Sequence, residues 1–234
     1  MDFRCCNCIT CLNSYAMGRI KNAITKLKNN YIRRRRRSKL KYKDFTIISN
    51  NCWAGTAVYQ PFGLKYNTPT VGLFIMDEDY MRFLERLEWY LDQPLKFIKP
   101  QESRYYDTIS NHGLRPTTYP IAVIGKDVEL HFLHYRDEAE ASSKWNRRVK
   151  RINFERLLVK MSLRDGNGDY DAMIQRFKSL PYRHSVCFSP IPDKDDDVRI
   201  VCVPELQELN IVGGDETEYT LSKINIVEFL NSLE

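Results

Sequence analysis

The segment Phe45-Thr-Ile-Ile-Ser49 is an apolar run that breaks into Asn50-Asn51-Cys52 and goes on as Trp53-Ala-Gly55. That order reads as a buried strand passing through a polar turn into a helix. The same alternation continues down the chain. Strands are predicted at 45–49, 71–75, 121–124, 128–133, 157–161, 186–189 and 198–203, and helices at 79–91, 137–151, 171–179 and 220–233. In 79–91, for example, Tyr80, Phe83, Leu84, Leu87 and Leu91 recur at helical spacing behind the acidic trio Asp77, Glu78 and Asp79. Strands interleaved with helices in this way imply an α/β layered domain with a mainly parallel sheet, expected over residues 44–234.

Charge separates that domain from what precedes it. Residues 1–43 hold 13 Lys and Arg against the single acid Asp2, a net +12, which leaves 23 bases and 29 acids, a net −6, for residues 44–234. The overall +6 thus describes neither part. Ile20, Ile24 and Leu27 sit at helical spacing among lysines, and Arg33 to Arg37 is an unbroken basic run. An amphipathic basic arm suits an anionic surface, at roughly 1 kcal/mol per basic residue. The expected partner of residues 18–43 is the anionic inner face of a membrane rather than nucleic acid; a merely solvated leader is the structural alternative. No apolar run reaches the 18 residues of a spanning helix, and no secretory signal is visible, so the expected location is cytoplasmic and peripheral to the membrane.

The cysteines divide likewise. Cys5, Cys6, Cys8 and Cys11 form one compressed cluster, without the two separated Cys-x-x-Cys pairs of a four-thiolate zinc site, so neither a metal nor a cofactor is predicted. Asp165-Gly-Asn-Gly-Asp-Tyr-Asp171 imitates the start of a calcium loop but puts Tyr170 at the sixth position and Arg176 at the twelfth, where Gly and Glu are needed. It reads as a turn before an Asp-capped helix.

Cys52 is the candidate nucleophile. A thiol at a helix start is favoured as thiolate by the first-turn N–H groups, and strand ends in open α/β sheets are where ligands bind. His134, closing an apolar segment, is the candidate general base, with Asp137 or Glu138 to orient its imidazole and the N–H groups of Trp53 and Ala54 as oxyanion donors. His131, three residues away, is the substitute base or a core histidine. Trp145-Asn-Arg147-Arg148 and Arg151 make a cationic helix end; Arg147 and Arg151 share a face suited to a phosphate, or simply complement the helix C-terminus.

Asn50-Asn-Cys-Trp-Ala-Gly55, Tyr59-Gln60, Tyr66-Asn-Thr-Pro-Thr-Val-Gly-Leu-Phe74, Tyr119-Pro120, His131-Phe-Leu-His-Tyr135, Trp145-Asn-Arg-Arg148, Arg151-Ile-Asn153 and Leu180-Pro181 together resemble a bacterial family of unknown function associated with exopolysaccharide biosynthesis. The resemblance spans about Asp44 to about Pro190. It implies a Rossmann-like fold and a role in cell-surface polysaccharide or lipopolysaccharide synthesis, but no established reaction. Two functions are then open. One is a Cys-dependent acyltransferase acting on a glycan or lipid-linked sugar through Cys52, His134 and Asp137. The other is a non-catalytic sugar-phosphate-binding component, or a glycosyl or other transferase, of the same pathway. Asn50, Asn51, Trp53, Tyr59, Gln60, His131, Tyr135, Trp145, Arg147, Arg148 and Arg151 are the expected ligand-binding positions in either case.

Overall fold

The computed structural model describes residues 9–165, 169–209 and 214–233, with the side chains of residues 9–18 and 20 excepted. The Cys5, Cys6 and Cys8 part of the cysteine cluster therefore lies outside the described residues, as does the middle of the 165–171 turn.

Seven strands form two sheets among the described residues. β1 (Thr46–Ser49), β5 (Leu157–Ser162), β6 (His184–Ser189) and β7 (Ile200–Cys202) are all parallel, in the order β1-β5-β6-β7. β2 (Lys96–Ile98), β3 (Ile121–Ile124) and β4 (Val128–His131) form a small antiparallel sheet. The fold is thus mixed α/β. The parallel strands add in one direction from β1 with no reversal of order, so this sheet lacks the switch point of a doubly wound Rossmann sheet.

Both faces of the parallel sheet are covered. Ile48, Val159, Met161 and Cys187 face a core with α3 (Asp77–Glu85), α4 (Leu87–Leu91), α6 (Glu138–Val149) and α7 (Tyr170–Lys178). Their neighbours in sequence, Ile47, Leu158, Val186 and Phe188, face a second core with the Trp53–Phe62 segment and the C-terminal helices α8 (Thr217–Lys223) and α9 (Ile226–Asn231). Burial on both faces is why β1, β5 and β6 read as continuous apolar runs and not as alternating ones.

Three expectations are corrected. The apolar segment 71–75 forms no strand, because Gly72 takes φ +79° and turns the chain; Phe74 alone bridges His131 of β4, and Ile75 N–H donates to Asn50 O, tying the two sheets together. The helix expected at 79–91 splits where Arg86 leaves helical dihedrals, and that at 220–233 splits at Asn225, whose side chain caps α9. The Asp-capped helix after the 165–171 turn is present, with Asp169 Oδ1 accepting from Ala172 N–H at 3.2 Å.

The basic arm forms one helix, α1 (Ile9–Arg37). Its C-terminal end is anchored: Arg37 donates to Gly63 O at 3.2 Å, just past α2 (Gln60–Phe62), and Leu40 is buried in the second core. Ile24, Leu27 and Tyr31 are more than half exposed. No helix among the described residues is long and apolar enough to cross a membrane.

Candidate functional site

Cys52 stands where the sequence puts it, between the C-terminal end of β1 and a helical segment whose residues Ala54–Tyr59 form a π-helix. The Cys52 carbonyl accepts the first helical bonds, from Gly55 and Thr56 N–H at 2.9 and 3.2 Å. Asn51 holds the turn by accepting from Trp53 N–H at 3.1 Å, which removes Trp53 N–H from the expected oxyanion donors. π-helical insertions of this kind concentrate at functional sites.

Two cavities meet at Cys52. The first, about 330 Å³, is lined by Asn51, Cys52, Trp53, Thr56, Leu73, Phe74, Leu114, Thr118, Tyr119, Leu133, His134, Arg164 and Gly214 to Glu216. The second, about 430 Å³, is lined by Cys52, Gly55, Thr56, Gln60, Tyr66, Val71, Gly72, His134, Tyr135, Lys144 and Arg148. Cys52 and His134 line both. His134 is exposed and Cys52 half-buried, its thiol donating to Leu73 O at 3.7 Å.

Beneath the first cavity lies a buried ionic group that is not among the residues expected from the sequence. Lys160, fully buried on β5, bonds Asn51 Oδ1 at 3.0 Å and Glu216, whose Oε1 also accepts from Ser162 Oγ at 2.7 Å and whose Oε2 accepts from Arg164 at 3.1 Å. Burial alone would raise the Glu216 carboxyl, but Lys160 and Arg164 together hold it below its usual range. Lys160 is lowered by burial, against the pull of Glu216. With Asn51 Oδ1 engaged by Lys160, Trp53 N–H and Ser49 Oγ, the Asn51 Nδ2 is left as a buried donor without a hydrogen-bond partner among the described residues.

The thiol itself behaves opposite to expectation. Burial pushes Cys52 up to about 11, with Glu216 and Asp215 adding to the rise and Lys160 opposing it. A helix N-terminus offers only about 0.3–1 kcal/mol to an anion, too little to offset loss of water. Cys52 therefore rests as the thiol and needs a base. Its alkylation by iodoacetamide, followed peptide by peptide, should rise with an inflection near 11 rather than at the ordinary thiol value of about 8.5. An inflection at or below 8.5 would contradict the buried setting.

Other expected site residues fall into two groups. Asn50 is fully engaged with Asp77, Ser162 O and Ser162 N–H; Trp53 donates to Thr220 Oγ1 at 2.8 Å; Tyr59 joins Asn67 to the Ile47 N–H; Trp145 is core. These build the scaffold, though Trp53 also walls the first cavity. Asp137 does not reach His134 by any hydrogen bond among the described residues: it caps α6 through Glu140 N–H at 2.8 Å and pairs with Arg136. His131 is buried between the rings of Tyr105 and Tyr119 and lines neither cavity, and burial lowers it to about 4, so it is a neutral core histidine at pH 7. Gln60, Tyr135 and Arg148 line the second cavity, whereas Arg147 is exposed and neither it nor Arg151 lines a cavity at Cys52.

Residues 23–231 match the family described as a domain of unknown function, DUF1919, which takes in every residue of both cavities. The chain belongs to the DUF1919 family. A relative by sequence is an uncharacterized protein of Haemophilus influenzae, 33% identical over 174 residues, or 74% of this chain and 75% of that protein. Neither description states a substrate or a pathway. The family match reaches beyond the motifs quoted above, back into α1 and forward through α9.

Proposed function

We propose that this DUF1919 protein is a cysteine-dependent acyltransferase of cell-surface polysaccharide synthesis, moving an acyl group from a thioester donor to a hydroxyl of a glycan or lipid-linked sugar. The observation that carries the reading is that Cys52 and His134 line the same two cavities at a strand-to-helix junction. The glycan part rests on the motif resemblance. In the first half-reaction the Cys52 sulfur attacks the donor carbonyl as His134 takes the thiol proton; the donor thiolate leaves and recovers that proton. In the second, the acceptor hydroxyl gives its proton to His134 and attacks acyl-Cys52, whose sulfur departs and is reprotonated. A thiol held near 11 makes such a base necessary. Leu73, Phe74, Leu114 and Leu133 give the first cavity the apolar wall that an acyl chain requires.

His134→Ala should slow consumption of an acyl-thioester donor by about 10²–10⁴-fold, the usual contribution of a general base, while Asp137→Asn, at a helix cap, should change the rate far less. Equal effects from both would remove His134 from the reaction.

The arm gives this activity a place. Exposed Ile24, Leu27 and Tyr31 beside Arg34 to Arg36 form a surface for anionic lipid, the site of lipid-linked sugars. Flotation with anionic vesicles should be lost in a chain starting at Ser38, which keeps the buried Leu40. Undiminished flotation would assign the arm another role.

A further inference from the structure

Arg148 poses a problem that the scaffold does not solve. Its side chain is on α6, on the same face as the buried Ala141 and Trp145, and only 7% of it is exposed. A guanidinium removed from water to that extent is normally matched by a carboxylate or a bound anion. Among the described residues no carboxylate lies within 4.0 Å of it. Its hydrogen bonds all leave from Nη1, to Val71 O at 3.2 Å and to Tyr135 Oη at 2.5 Å, and both acceptors are neutral. The rings of Tyr66 and Tyr135, 5.3 and 5.9 Å from its Cζ, supply weak cation–π attraction and no charge. Nε and Nη2 thus remain as donors with no protein hydrogen-bond partner among the described residues, and the residue lines the second cavity beside Lys144.

We propose that the second cavity is a phosphoryl-binding site, in which the free edge of Arg148 takes two oxygens of a phosphate or diphosphate bidentately, with Lys144, ion-paired to Glu140 at 2.6 Å, at the rim. Planar, forked donors are suited to that geometry. This deepens the acyltransferase reading and rests on it for its meaning. With Cys52 and His134 in the wall shared by both cavities, a substrate phosphate held by Arg148 leaves the reacting carbonyl or hydroxyl at the thiol and the acyl chain in the first cavity. Two substrates carry such a group: the nucleotide part of an acyl-coenzyme A donor, and the phosphate of an activated or lipid-linked sugar acceptor.

Gly55 gives a way to close the site without touching Arg148. A Cβ placed on it meets only Val71 Cγ1, at 3.9 Å, so a side chain can begin at this glycine, which lines the second cavity. Calorimetric titration of the full chain with pyrophosphate, coenzyme A and UDP-glucose, for the wild type, Arg148→Gln, Gly55→Leu and Cys52→Ala, supplies the test, with melting temperatures as the folding control. Expected is pyrophosphate binding by the wild type and by Cys52→Ala, weakened ten- to a hundredfold in Arg148→Gln and abolished in Gly55→Leu. Tighter binding of coenzyme A than of UDP-glucose assigns the site to the donor, and the reverse order to the acceptor. Absence of pyrophosphate binding to the wild type, or equal binding by folded Arg148→Gln and Gly55→Leu chains, overturns the proposal and leaves Arg148 as a strut between Val71 and Tyr135. Pyrophosphate binding with no acylation of Cys52 keeps the phosphoryl site and removes the acyltransferase reading; acylation without pyrophosphate binding does the reverse.

Discussion

Lys160→Met is expected to lower the unfolding free energy by about 3–5 kcal/mol, the cost of leaving one member of a buried ion pair behind. The exchange keeps the side chain's volume roughly constant, so the loss reports charge and not packing. Glu216 would retain Arg164 and Ser162 but lose its second cation, while Asn51 Oδ1 would lose a donor. Glu216→Gln should cost a similar amount by leaving Lys160 fully buried and facing only neutral oxygens. Guanidinium denaturation of the two single variants and the double variant gives the coupling, and the double variant should be less destabilised than the sum of the singles. A loss below about 1 kcal/mol for Lys160→Met, the scale of a surface pair, would mean that the pair contributes no such stability. The same variant carries a signature in the thiol: because Lys160 is the cationic neighbour opposing the rise, its removal should move the Cys52 alkylation inflection further up.

That ionic group shows where the chain's order conceals its site. Lys160 sits in Leu157-Leu-Val-Lys-Met-Ser162, and a lysine inside an otherwise apolar strand was itself the available signal. What could not be read is its partner, 56 residues away in a loop before α8, since pairing at that separation is set by the tertiary fold. Arg148 was more accessible. On α6 the buried face is marked by Ala141 and Trp145, and Arg148 follows at three and seven residues, whereas Arg147 falls off that face. Helical phase taken from the buried Ala141 and Trp145 selects Arg148, where the four-residue spacing within the basic cluster favoured Arg147 and Arg151. Segment 71–75 misled for another reason: its apolar residues are buried as a strand's would be, but Gly72 bends the backbone. The junction at Cys52 was legible because strand, polar turn and helix are all local, while the ionisation of its thiol was not, because burial in the tertiary fold, with Glu216 and Asp215 nearby, outweighs the local helix end.

Cys52→Ala should reduce turnover of an acyl-thioester donor to the level of the uncatalysed reaction, a loss of at least about 10³-fold on the scale of nucleophile deletions in other enzymes. Cys52→Ser should be nearly as inactive, because a hydroxyl is a much weaker nucleophile and stays protonated in the same buried setting. Neither change should lower stability by more than about 1 kcal/mol, since Cys52 is half-buried and its thiol makes a single long hydrogen bond. Loss of turnover with an intact melting temperature therefore separates chemistry from folding.

The most direct measurement is the covalent state of Cys52 during reaction. Full-length protein mixed with acetyl- or longer-chain acyl-coenzyme A, quenched in acid and analysed as intact mass and then by peptide, should gain one acyl group on the peptide containing Cys52, removable by hydroxylamine and accumulating when no acceptor is present. The Cys52→Ala chain should gain none there. An adduct mapping only to other cysteines, or donor consumption at the wild-type rate by Cys52→Ala, would contradict the account and leave the two cavities as a binding site without a nucleophile.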